Sequence, residues 1–163
     1  MLRGDKGHLD GAAQVWAEAT AARDGDSDVA ALQISRPVLA RFLDRPGAIF
    51  VVAVDQDEQV VAFAVAEPAS ACGEPGAVAA TAEIRLVGVR PVRWGAGLGR
   101  GVMQLLAAEL AGAGFLDAQL LVYADNGKAV RLYEQLGWRA EGPLVSHPRT
   151  GRPEQRYRLR LPG

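Results

Sequence analysis

Glu83-Ile-Arg-Leu-Val-Gly-Val-Arg-Pro-Val-Arg-Trp-Gly-Ala-Gly-Leu-Gly-Arg-Gly-Val-Met103 runs from an apolar segment through a cluster of glycines into a second apolar segment. A buried-strand pattern breaks at Gly88, crosses a Pro-Trp-Gly loop and runs into an amphipathic helix. Gly95, Gly97 and Gly99 remove side chains at alternate positions, so the backbone N–H groups from Gly95 to Arg100 can turn toward one anion. The start of the following helix adds roughly half a positive charge. This predicts a cradle for a pyrophosphate-sized ligand. A dinucleotide fingerprint needs glycine at the first, third and sixth positions, but counting from Gly95 the sixth residue is Arg100, and from Gly97 it is Val102. A P-loop needs Lys then Ser or Thr after its last glycine, where this chain has Arg100 and Gly101. Both readings fail on spacing.

The segment resembles instead the coenzyme A loop of the GNAT N-acetyltransferase superfamily, in which a strand ending in V-x-P leads to Gln/Arg-x-x-Gly-x-Gly/Ala. Here V-R-P is Val89 to Pro91 and the loop is Trp94-Gly95-Ala96-Gly97-Leu98-Gly99, with Trp94 where the family most often has Gln or Arg. A second stretch, Asn126 to Trp138, resembles the family's N-x-x-A-x-x-L-Y-x-x-x-G-F segment with Trp in the last place. The likeness spans about residues 48 to 161 well and the N-terminal third loosely. It implies an acyltransferase using acetyl-CoA as co-substrate, with no metal, and an amine acceptor that is a small molecule or a protein. A homodimer is admitted by the reading.

The resemblance carries roles onto particular positions. Pantetheine amides would pair with the backbone of Val87 and Val89, with the strands parting at Gly88, the residue of the central strand most able to accept a bulge. The pyrophosphate would rest on the loop from Trp94 to Gly99, with charge-assisted bonds from Arg100 and Arg131. Tyr133 would protonate the departing thiolate; a phenol with pKa ≈ 10 keeps its proton at neutral pH. Asn126, two helical turns before it, would orient the coenzyme or cap the helix. An alkylamine with pKa near ~10 is neutral in only about one molecule in a thousand at pH 7, a deficit of roughly 4 kcal/mol. Glu83 matches a position that holds the general base in some relatives, and Arg85, on the same strand face, could pair with it and depress its basicity. Covalent catalysis would need the single thiol, Cys72, to meet His8 or His147 from distant segments. A coenzyme A-binding module without catalysis is the alternative function.

Outward from this centre, Leu9 to Ala22 has helical spacing, and Asp28 could cap a second helix. Pro37 predicts two short helices or a kink there, with a fresh start capped by Ser35. Ile49–Val54 and Val60–Ala66 read as an antiparallel hairpin, Pro68 to Gly76 as a loop, and Val78 to Val89 as a long central strand. The helix after the glycine loop carries the stripe Val102, Leu105, Leu106 and Leu110. Gln119–Tyr123 follows as a strand, making a right-handed crossover and a parallel pair. Ala129, Leu132, Tyr133 and Leu136 mark a short helix stopped by Gly137, and the tail folds back as Trp138–Glu141 and Arg156–Leu161. The expected fold is α/β of the mixed α+β kind: a mostly antiparallel central sheet with a splayed parallel strand pair and helices on both faces, in a single domain over 1–163.

Composition agrees. The chain has 163 residues, 49% hydrophobic and 23% charged, and its net charge of −1 argues against a generic nucleic-acid surface. No apolar run approaches the ~20 residues of a membrane helix. Residues 1 to 20 lack the pattern of a secretory signal, and a lone cysteine fits a reducing compartment, so a cytoplasmic protein is expected.

Overall fold

The computed structural model describes residues 1–69 and 80–163. A two-residue strand β1 (Leu2–Arg3) precedes two helices, α1 (Leu9–Asp24) and α2 (Leu32–Leu43), and then three long strands, β2 (Ile49–Val54), β3 (Val60–Pro68) and β4 (Thr81–Val89). The second half runs α3 (Leu98–Gly112), β5 (Asp117–Tyr123), α4 (Gly127–Gln135), β6 (Arg139–Ser146) and β7 (Pro153–Arg160). The seven strands form one sheet in the order β1-β2-β3-β4-β5-β7-β6. Every pairing is antiparallel except β4 with β5, as the strand-helix-strand crossover requires.

Alternation along the strands divides the core in two. Ile49, Val51, Ala64, Ala66, Ile84 and Leu120 pack under α3 and α4, whereas Phe50, Val52, Phe63 and Val65 pack under α1 and α2. The helices therefore lie on both faces, α1 and α2 on one and α3 and α4 on the other. Helix α1 is rich in alanine, the best helix former, and stops where Gly25 adopts φ 70° and its N–H reaches the Ala21 carbonyl.

Several local expectations change. Of the two alternatives at Pro37, two short helices are excluded: residues 32–43 form one helix through it, with Ala31 rather than Asp28 or Ser35 at its N-cap. Pro37 stands one turn in, and the carbonyl deprived of a donor belongs to Gln33, which is exposed and can bond to water. Ser35 is fully buried inside the helix and caps nothing. Strand β5 begins at Asp117, two residues early, and β6 and β7 extend well past the four- to six-residue segments expected of the tail. The start of the central strand at Val78, the loop to Gly76 and Cys72 lie outside the described residues.

The bulge in β4 is also displaced. The β3 register jumps between Val65, opposite Leu86, and Ala66, opposite Ile84, so the extra residue is Arg85. Gly88 is needed for a different reason: a Cβ there would come within 2.5 Å of the Phe63 ring, which is completely buried.

Candidate active site: a cleft where two parallel strands part

Strands β4 and β5 pair only from Thr81–Glu83 to Asp117–Gln119. Beyond that point they separate, and a cleft of about 880 Å³ passes between them. One face of the sheet contributes α4 and the N-terminus of α3; the other contributes α1 and the β6–β7 turn, including Trp16, Thr20, His147 and Thr150. The parting exposes polar backbone. The Arg90 N–H donates to the Val61 carbonyl at 2.8 Å, and in an antiparallel ladder alternate residues share that orientation. Leu86 and Gly88 thus face β3, while Val87 and Val89 turn their N–H and C=O groups toward the cleft. The Val89 carbonyl accepts from the Trp94 indole N–H at 2.8 Å. Val87 is left as the open edge to which an extended amide chain can add as a strand.

The glycine loop lies at one end of this cleft. Gly95 and Gly97 have φ of 82° and 78°, the left-handed region that side chains avoid. Gly97 is the N-cap of α3 and offers no capping side chain, and the first intrahelical donor is Gly101, bonding to the Gly97 carbonyl at 3.0 Å. The N–H groups of Leu98, Gly99 and Arg100 therefore precede the ladder and can serve an anion. Gly99 plays a separate part: a Cβ would stand 3.1 Å from Leu132 and 3.6 Å from Val89, so its absence lets α3 start close against α4 and β4. A phosphate-bearing coenzyme fits this end.

Of the residues expected here, Val87, Gly88, Val89, Trp94, Gly95, Gly97, Leu98, Gly99, Arg100, Asn126 and Tyr133 border the cleft, and Ala96, Arg131 and Glu83 do not. Arg100 also bonds the Gln135 side chain at 3.0 Å, tying α3 to α4. In place of Arg131, the cleft has Lys128, whose ammonium sits 4.6 Å from the Trp94 ring centre. Asn126 caps α4, its side chain accepting from the Ala129 N–H at 3.3 Å. Tyr133 is buried at 7% exposure against Trp138, and burial pushes its hydroxyl up to about 12.

Glu83 lies on the α1/α2 face with its carboxylate engaged: Gln119 donates to it and Arg156 stands 3.6 Å away. The anticipated partner, Arg85, bonds Glu67 instead. The register explains this, since Glu67 and Glu83 are directly opposed and each carboxylate needs its own cation. The acidic side chains that do border the cleft are Asp24 and Glu154. Asp24 is held below the usual carboxylate range by the hydrogen bond from Arg23, reinforced by Arg152. Glu154 sits opposite Tyr123 in the β5–β7 ladder, and among the described residues no ion pair claims it. Its signal was absent from the sequence because only the fold carries β7 beside β5. His147 accepts from the Arg149 and Thr150 N–H groups at 3.2 Å each and packs at a tilt of 59° against the Tyr123 ring, so it shapes the β6–β7 turn. Among the described residues no three His, Cys, Asp or Glu side chains gather to hold a metal ion, and no helix is long and apolar enough to cross a membrane.

The sequence profile of the Acetyltransferase (GNAT) family matches residues 13–138. The chain belongs to this family. Its members use acetyl-CoA and take an amine-bearing acceptor. Among curated relatives, the mycothiol acetyltransferase of Parafrankia sp. is 36% identical over 80 residues, 49% of this chain and 24% of that protein. The one from Nocardioides sp. is 28% identical over 141 residues, 84% of this chain and 48% of that protein. The chain thus spans less than half the length of these relatives. The fold is that of a GCN5-related N-acetyltransferase from Kribbella flavida, with TM-score 0.74 and 23% identity over 98% of this chain and 96% of that one. It is likewise that of the ribosomal-protein-S18-alanine N-acetyltransferase from Escherichia coli, with TM-score 0.74 and 21% identity over 98% and 92%.

Proposed function

We propose that this chain is an N-acyltransferase that moves an acetyl group from acetyl-CoA to a primary amine by direct attack in a ternary complex. One observation carries the reading: Val87 with its open edge, the uncapped start of α3 and Tyr133 all border one cleft that passes through the sheet. Acetyl-CoA supplies the acetyl group as an activated thioester. The N–H groups at the start of α3, with Arg100 and Lys128, hold its phosphates, and Val87 guides the pantetheine between the strands. The acceptor amine, from a small molecule or a protein, enters from the α1 and β6–β7 side.

Bond formation between the amine nitrogen and the acetyl carbon must be matched by loss of one amine proton and by protonation of the departing sulfur. Glu154 is the carboxylate on the acceptor side with capacity to take the amine proton; Asp24 is committed to Arg23 and Arg152. Tyr133 faces the leaving group. A hydroxyl at about 12 stays protonated at every physiological pH. Full transfer to a thiolate of pKa ~8.5 would cost about 5 kcal/mol, so the hydroxyl works chiefly as a hydrogen-bond donor that strengthens as the carbon–sulfur bond breaks and charge grows on sulfur; the thiolate then takes its proton from solvent, balancing the one the amine gave up.

The test is thiol release from acetyl-CoA against a panel of primary amines, with the product weighed by mass spectrometry. The reading expects amine-dependent release and acetyl on the amine. Acetyl recovered on the protein, or coenzyme binding without turnover of any amine, would contradict it.

A further inference from the structure

The acceptor half of the cleft carries a cation whose arrangement the transfer chemistry does not use. Arg85 is the bulged residue of β4, the second position beyond the last β4–β5 pair, and it borders the cleft. Its Nε donates to Glu67, a carboxylate only 2% exposed. Arg45 Nε stands 3.1 Å from the other Glu67 oxygen, close enough to pair electrostatically though not aligned for a hydrogen bond. Two guanidinium groups thus share one buried carboxylate, and the cluster keeps an excess positive charge. Arg85 is anchored through Nε alone among the described residues, beside the Phe42 ring at 6.0 Å, with its side chain about one-third exposed. That leaves the two terminal nitrogens, the fork that matches a carboxylate.

The other charges facing this half set the rest of the ligand. Arg23 is neutralised by Asp24; Arg149 adds a second cation at the β6–β7 turn; Glu154 is the acid without an ion pair. Between them the wall is apolar, with Trp16, Leu86 and Leu121. We propose that Arg85 anchors an anionic group on the acceptor, so that the preferred acceptor is an amine that also bears a carboxylate on an apolar body, as an apolar amino acid does. Glu67 is its positioning residue. A polyamine meets the wrong charge at this wall. The inference rests on the transfer reading above and deepens it.

Two measurements on the acetyl-CoA-loaded protein test it. Turnover of L-phenylalanine is compared with that of phenethylamine, which lacks only the carboxylate, in wild type, Arg85→Gln and Glu67→Gln. Wild type is expected to favour phenylalanine at least tenfold in kcat/KM. Arg85→Gln should erase the preference through KM, with the phenethylamine rate and acetyl-CoA affinity unchanged. Glu67→Gln should shift the same preference in the same direction. Equal losses for both acceptors, or a wild-type preference for phenethylamine, would overturn the proposal. Calorimetric binding of 3-phenylpropionate, which cannot react, reads the anion site without turnover: at least tenfold weaker binding is expected in Arg85→Gln, and equal binding would sink the site even if amines are acetylated. If no amine is acetylated while 3-phenylpropionate binding still depends on Arg85, the transfer reading fails and the anion site stands.

Discussion

Tyr133 is at once a core side chain and a cleft side chain, and the two parts can be separated. Its ring packs 6.0 Å from that of Trp138 while its hydroxyl is desolvated. Tyr133→Phe keeps the ring, so stability at neutral pH should hold within about 1 kcal/mol and acetyl-CoA affinity within about threefold, while kcat falls roughly ten- to a thousandfold. An unchanged rate would make the residue a packing group. The raised pKa adds a pH signature. Folding holds the phenol in its protonated form, so the contribution is fully present below the unfolded value of ~10 and is lost as pH rises from there through about 12. Chemical denaturation should show a fall of up to roughly 3 kcal/mol across that window, absent in Tyr133→Phe. The proton acceptor is decided by a similar contrast. Glu154→Gln should lower kcat/KM at least tenfold near pH 7 and recover as rising pH neutralises more amine, whereas Glu83→Gln, which keeps a hydrogen-bonding partner for Gln119 and lies off the cleft, should stay within about threefold. The opposite ranking would return the role to Glu83, which matches a position that holds the base in some relatives.

At the scale of elements, the site depends on how closely strands and helices approach. Strand β4 is shaped by two neighbours: the bulge at Arg85 and the Phe63 ring over Gly88. Gly88→Ala must displace a fully buried ring, so it should cost roughly 1–3 kcal/mol in denaturant melts. No loss would mean that Gly88 is not held there by packing. The acceptor wall is tied together by Arg152, which bonds Asp24 at the end of α1 at 3.2 Å and Asp125 before α4 at 2.8 Å, and lies 3.8 Å from the Tyr123 ring centre. These contacts join three elements distant in sequence, and no local pattern announces them. The geometry of the glycine end, by contrast, was legible, because it is built from consecutive residues: the glycines, the α3 start and the α4 segment are each continuous in sequence. The misreadings share a physical origin. Proline's penalty is small where the freed carbonyl is solvated, as at Gln33. A bulge is set by cross-strand register and not by glycine alone. Strands β6 and β7 carry Arg139, Glu141, Arg156, Arg158 and Arg160 on a face that no helix covers, which hides their apolar alternation.

Across the whole molecule, one topological feature makes the proposed two-substrate passage. A seven-stranded sheet with a single parallel junction parts after Glu83 and Gln119, and the helix pairs on opposite faces supply opposite ends of the resulting passage. Fold and family were readable because the strand-glycine loop-helix order dictates the parallel junction; the acceptor side was not, because it is assembled from α1, the β4 bulge and the β6–β7 turn. In the proposed function, the left-handed loop and uncapped helix start hold acetyl-CoA. Position 97 isolates it: a Cβ would meet nothing within 4 Å, yet φ of 78° is one that valine cannot hold without strain. Gly97→Val should therefore leave the core intact while moving the N–H groups off target. Isothermal calorimetry of acetyl-CoA binding to wild type and Gly97→Val is the direct measurement. Wild type should bind saturably and the variant at least a hundredfold more weakly, with its melting transition still cooperative. Equal affinity in both proteins would contradict that role.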